Sequence, residues 1–166
     1  KGITGGYMTL STILTTNDMY DAFYDEYTKL NAFLHSHSYT ANPIACSAAN
    51  ASLDIFEKEK TISKNKILSD YISRSLGKIS NHQHVGDVRQ HGMIAAIEIV
   101  KNKSTKTPYN WKERRGVRAY KYGLKHNVLI RPLGNVIYFM PPYVINKKEI
   151  DKVINVIEGA IDIATK

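Results

Sequence analysis

The segment Val128-Leu-Ile-Arg-Pro-Leu-Gly-Asn-Val-Ile-Tyr-Phe-Met-Pro-Pro-Tyr143 sets one permanently charged side chain, Arg131, among apolar neighbours. A guanidinium buried there needs an anion, since an unpaired buried charge costs on the order of several kcal/mol. Its planar fork fits a carboxylate through two parallel hydrogen bonds. That carboxylate is either an Asp or Glu of the protein or part of a bound substrate, and the segment alone does not choose. Tyr138, one short strand away, either presents its phenol to the same pocket or packs in a core. A second stretch, His35-Ser-His-Ser-Tyr-Thr-Ala-Asn42, carries two histidines two residues apart. No further ligand recurs nearby at metal-binding spacing, so no metal site is expected. A third, Lys1-Gly-Ile-Thr-Gly-Gly6, places a primary amine beside three glycines, which imply unusual backbone angles or close approach to another group. Cys46 is the single cysteine. It makes no internal disulfide or thiol-cluster metal site, and it suits a reducing cytoplasm.

The elements that must position these residues follow from pattern. Val128 to Ile130 reads as a strand, Pro132 and Gly134 as turn, and Val136 to Met140 as a second strand that Pro141-Pro142 stops. Tyr7 to Thr15 alternates partially and is expected as a strand, followed by a short helix capped by Asn17 or Asp18 and running to about Tyr24. A polar loop, 25–31, comes next. Asn42-Pro43 is a helix start, and the small residues after it predict a buried, closely packed helix. Ile67, Tyr71, Ile72, Leu76 and Ile79 repeat at helical spacing. Val85 to Gly92 and Met93 to Val100 read as adjacent strands, with Met93, Ala95, Ile97 and Ile99 on one face. A polar loop from Lys101 to Asn110 leads to a basic amphipathic helix, 111–125, expected to bury Val117, Tyr120 and Leu124. Asn127 suits the left-handed position after it. Asn146 and Glu149 form a capping-box pattern, and Ile150, Val153, Ile154, Ile157, Ile161 and Ala164 are the core stripe of a final helix. Helix, strands, helix, strands, helix is an α+β or α/β arrangement.

The chain has 166 residues, 43% of them hydrophobic, and a net charge of +8. No apolar run is long enough to span a membrane, and no signal sequence opens the chain. The basic residues are scattered, without finger spacing or an RNA-binding aromatic motif, so solvated faces explain them better than nucleic acid or an anionic membrane does.

Arg131-Pro-Leu-Gly-Asn-Val-Ile-Tyr138 with Met140-Pro-Pro-Tyr143 resembles the C-terminal signature of class III pyridoxal-phosphate-dependent aminotransferases, and in particular their diaminopelargonate-forming, biotin-synthesis branch. Lys1-x-x-Thr4-Gly5-Gly6 is similar to the family segment whose lysine forms the Schiff base with pyridoxal 5′-phosphate. His35 to Asn42 resembles the loop that reaches the cofactor phosphate of the neighbouring subunit. There Ser38 takes the place of a phosphate-binding Thr, His37 precedes it, and Ser36 stands where a substrate-contacting Gly is frequent. Ala41 replaces another frequent Gly.

The resemblance implies an α/β, fold-type I transferase represented from the cofactor lysine onward. Residues 1–57 would be the C-terminal part of the large cofactor-binding domain, and 58–166 the C-terminal small domain. It implies transfer of an amino group from S-adenosylmethionine, or from lysine in some members, to 8-amino-7-oxononanoate, giving 7,8-diaminononanoate. It further implies a cytoplasmic homodimer with a shared active site, no metal, and no nucleic-acid or membrane partner. Lys1 would be catalytic; Lys1, His37 and Ser38 would bind cofactor; Lys1, Ser36, Arg131 and Tyr138 would bind substrate. Two rival readings are an ornithine- or 4-aminobutyrate-type ω-aminotransferase of the same class and a basic, non-catalytic binding domain.

Overall fold

The computed structural model describes all residues, 1–166, and they divide into two compact units, Lys1–Lys60 and Thr61–Lys166.

The first unit is built from turns and two helices. After a single 3₁₀ turn, Gly2–Thr4, the chain runs without regular structure to α1 (Asn17–Asp21). The expected strand at Tyr7 to Thr15 does not form. A strand needs a partner for its backbone ladder, and this unit holds no second strand. Helix α1 is capped one residue earlier than expected, by Thr16 accepting from the Met19 amide, and it ends at Asp21. The polar loop after it holds a 3₁₀ turn, Tyr27–Lys29. Helix α2 (Pro43–Lys58) starts as read: Asn42 accepts from the amides of Ile44 and Ala45, and Pro43 opens the first turn. Its burial differs from expectation. Only Ala45 and Ala49 are buried, where the Gly2–Thr4 turn packs on the helix, and Ile44, Leu53 and Ile55 are exposed. Within this chain the small residues serve one close contact, with the Gly2–Thr4 turn.

The second unit is a sheet covered by three helices. Helix α3 (Thr61–Ser80) leads to β1 (Val85–His91), β2 (Ile94–Asn102) and the two-residue β3 (Thr107–Pro108) within the expected polar loop. A 3₁₀ turn, Trp111–Glu113, precedes α4 (Arg115–Lys125); β4 (Arg131–Leu133), β5 (Val136–Phe139) and α5 (Lys147–Thr165) follow. The sheet is antiparallel, in the order β1-β2-β5-β4, with β3 paired to β2. Ala95, Ile97 and Ile99 share one face as their spacing predicts, and pack with Ile137, with Ile72, Leu76 and Ile79 of α3, and with Ile150, Ile157 and Ile161 of α5. Ile67, read as part of the α3 stripe, is exposed.

Helix α4 corrects its expected stripe. The buried positions are Gly116, Ala119 and Gly123, whereas Val117 and Tyr120 are half-buried and Leu124 is exposed. The helix backbone lies against its neighbours: a Cβ on Gly116 would come within 2.5 Å of the Gly134 carbonyl oxygen, and one on Gly123 within 2.7 Å of that of Val128. Close backbone approach, not side-chain bulk, selects these positions. Asn127 takes the left-handed conformation as expected, at φ 59°.

Candidate active site

The Lys1 turn is specified locally. The Lys1 carbonyl accepts from the amides of Thr4 and Gly6, at 3.3 and 2.9 Å, and Gly5 and Gly6 sit at φ 61° and 84°. Thr4 is buried, and its hydroxyl donates to the Met8 carbonyl at 2.6 Å, which pins the turn. The Lys1 side chain is exposed.

His37 and Ser38 lie on a second exposed turn, with Ser36 just before it. The Thr40 amide donates to the His37 carbonyl, and the His37 amide to the Thr40 hydroxyl. Ala41 stands at φ 58°, a left-handed position that glycine accepts with less strain. The ring nitrogens of His35 and His37 are 3.2 Å apart, and no third metal-type ligand joins them. The Lys1 turn and this turn share no hydrogen bond.

Arg131 and Tyr138 are brought together. They are cross-strand partners on β4 and β5, and the guanidinium lies 5.7 Å from the phenol ring centre. Two expectations change here. The strand begins at Arg131, not Val128, so Pro132 sits inside β4; this is permitted because β4 is the sheet's edge. Arg131 is also exposed and not enclosed by its apolar neighbours, and it forms no ion pair with any carboxylate of the chain. No carboxylate of this chain therefore pairs with the guanidinium.

Arg131 and Tyr138 border a cleft of about 590 Å³. Its apolar wall includes Leu129, Met140, Pro141 and Val144, and its far wall is the first turns of α5, with Glu149, Lys152 and Val153. Sequence reading placed the α5 residues only on a helix; no local pattern links them to Arg131, because the sheet–helix packing creates the neighbourhood. Glu149 closes the capping box with Asn146 as its spacing predicts. The first unit thus presents an exposed amine and a turn bearing Ser38, and the second unit by itself presents an exposed guanidinium on an apolar cleft. Open space around Gly2 and Gly6 leaves the backbone beside Lys1 accessible.

Residues 1–161 match the family described as aminotransferase class-III. An adenosylmethionine-8-amino-7-oxononanoate aminotransferase of Geobacter sulfurreducens is 46% identical over 99% of this chain and 36% of its own length. Its Helicobacter pylori namesake is 46% identical over 93% of this chain and 34% of its own length. The chain thus spans about a third of the curated relatives it matches. The crystal structure of the Methanocaldococcus jannaschii enzyme of the same name superposes with a TM-score of 0.91 at 39% identity, over 96% of this chain and 36% of that one. An ω-transaminase of Pseudomonas jessenii, solved with PMP, matches at a TM-score of 0.75 and 26% identity, over 83% of this chain and 30% of that one.

Proposed function

The chain belongs to the class-III aminotransferases, whose α/β, fold-type I architecture it shares, and from that premise we propose its reaction, cofactor and site residues. The reaction is transfer of an amino group from S-adenosylmethionine to 8-amino-7-oxononanoate, giving 7,8-diaminononanoate for biotin synthesis. The names of the relatives support it, and so does one observation above all: Arg131 is exposed on an apolar cleft without an internal carboxylate partner.

Pyridoxal 5′-phosphate, when bound, supplies an aldehyde for amines and a ring that stabilises negative charge on the substrate carbon. Lys1 would hold it through Nζ, and the same amine, when free, would act as the base that moves a proton at the substrate carbon. Ser38 contributes its hydroxyl and amide to the cofactor phosphate, with His37 beside it and Ser36 toward the substrate. Arg131 grips the keto acid's carboxylate, and Tyr138 flanks it; fixing that end fixes which bond faces the ring. The site is shared across a homodimer in the cytoplasm. Residues 1–57 close the large domain, and 58–166 form the small one.

Arg131→Lys in the intact enzyme tests the clamp. The charge survives but the fork does not, so kcat/KM for the keto acid should fall by about tenfold to a hundredfold, the size of a charged hydrogen bond, with little change in Tm. Destabilisation with unchanged substrate preference would remove Arg131 from the site. Absence of a bound chromophore in the intact protein would remove the cofactor.

A further inference from the structure

Besides the Tyr138 phenol, three ionisable side chains border the Arg131 cleft: Arg131 itself, Glu149 and Lys152. Glu149 and Lys152 are three apart on α5, a spacing at which opposite charges pair readily. They do not pair here. Glu149 turns back so that one carboxylate oxygen accepts the Asn146 amide at 2.9 Å, completing the helix cap. Lys152 is left exposed and in no ion pair, as is Arg131. Two cations in no ion pair therefore border one apolar cleft, whose single carboxylate gives one of its oxygens to the helix cap. Leu129, Met140 and Val144 are exposed apolar side chains on the same cleft.

We infer that Lys152 is a second electrostatic contact for the substrate carboxylate, shared with Arg131. This rests on the transaminase reading of the same cleft. The division of labour follows from the two side chains. The arginine fork sets the carboxylate's orientation, whereas an ammonium attracts as a point charge without directing. A partly solvated point charge acts through screened attraction, so it strengthens binding of ground state and transition state alike. Its signature is a KM effect without a kcat effect.

Steady-state kinetics of the intact enzyme with 8-amino-7-oxononanoate, comparing Lys152→Met and Lys152→Arg with wild type at low and moderate ionic strength, tests this. Lys152→Met should raise KM about two- to fivefold, as for a partly exposed ion pair, with kcat unchanged. Lys152→Arg should restore the wild-type KM, and added salt should shrink the difference. An unchanged KM in Lys152→Met, a kcat loss at constant KM, or no rescue by arginine overturns the inference while wild-type turnover leaves the proposed reaction standing. A wild type that does not turn over this keto acid overturns both.

Discussion

Residues 1–60 and 61–166 meet the demand for burial very differently. In the first unit only Thr4, Ala45 and Ala49 are buried, while Ile13, Leu14, Tyr27 and Leu34 are almost wholly exposed. In the second, isoleucines from α3, β2, β5 and α5 close one core. Yet both carry candidate chemistry. The Lys1 turn holds its shape by two amides on one carbonyl and a buried threonine hydroxyl, interactions within eight residues. The Arg131 cleft has walls drawn from β4, β5 and a helix that starts at Lys147. A reactive side chain can thus be presented by local backbone geometry, whereas a binding cleft requires packed elements.

That contrast is sharpest in Lys1→Ala of the intact protein. Loss of the amine should lower kcat by about 10²- to 10⁴-fold or more, with little change in Tm, because Lys1 supports the turn through its backbone alone. Near-normal multiple turnover would remove Lys1 from the reaction. Next comes packing: Ile157→Ala should cost about 2–5 kcal/mol by transfer and cavity terms, while Leu53→Ala on exposed α2 should change stability by less than about 0.5 kcal/mol. Equal costs in urea unfolding would erase the distinction between the units.

Asn146→Ala separates a local device from the core it serves. Loss of the cap should cost about 1 kcal/mol: the Glu149 amide loses its Asn146 acceptor, while the backbone amide of residue 146 still donates to the Glu149 carboxylate. A stability unchanged within error would show the capping box to be dispensable.

The smallest effect is electrostatic. The hydrogen bond from Arg89 holds the Asp87 carboxyl below its usual range. A carboxylate so lowered adds stability above that range and loses it as pH falls through the lowered folded value. The pair is well exposed, so screening makes the gain small. Urea midpoints measured from pH 7 down to acid should show a flatter acid limb for Asp87→Asn than for wild type, and more so at low salt; superimposable limbs would exclude a contribution from this pair.

What could be read in the sequence was what nearest neighbours decide. Asn42-Pro43 and Asn146-x-x-Glu149 cap helices because a side-chain oxygen lies within reach of amides two or three residues on. Ala95, Ile97 and Ile99 share a face because the pleat repeats every two residues, while Met93, expected on the same strand, is buried from the turn before it. The last helix buries its stripe because every third or fourth residue returns to one side. The candidate roles proposed for Lys1, Ser38 and Arg131 likewise rest on motifs of a few residues. Tertiary structure alone decided which surfaces meet. It left Tyr7 to Thr15 without a ladder partner, chose the glycine side of α4 over Val117 and Leu124, and set Arg131 on an exposed edge instead of inside an apolar segment. It also brought α5 to the cleft, so that Lys152 and Glu149 line it together with Arg131. Such outcomes depend on chain segments tens of residues apart competing for the same contact, and no local pattern encodes the winner.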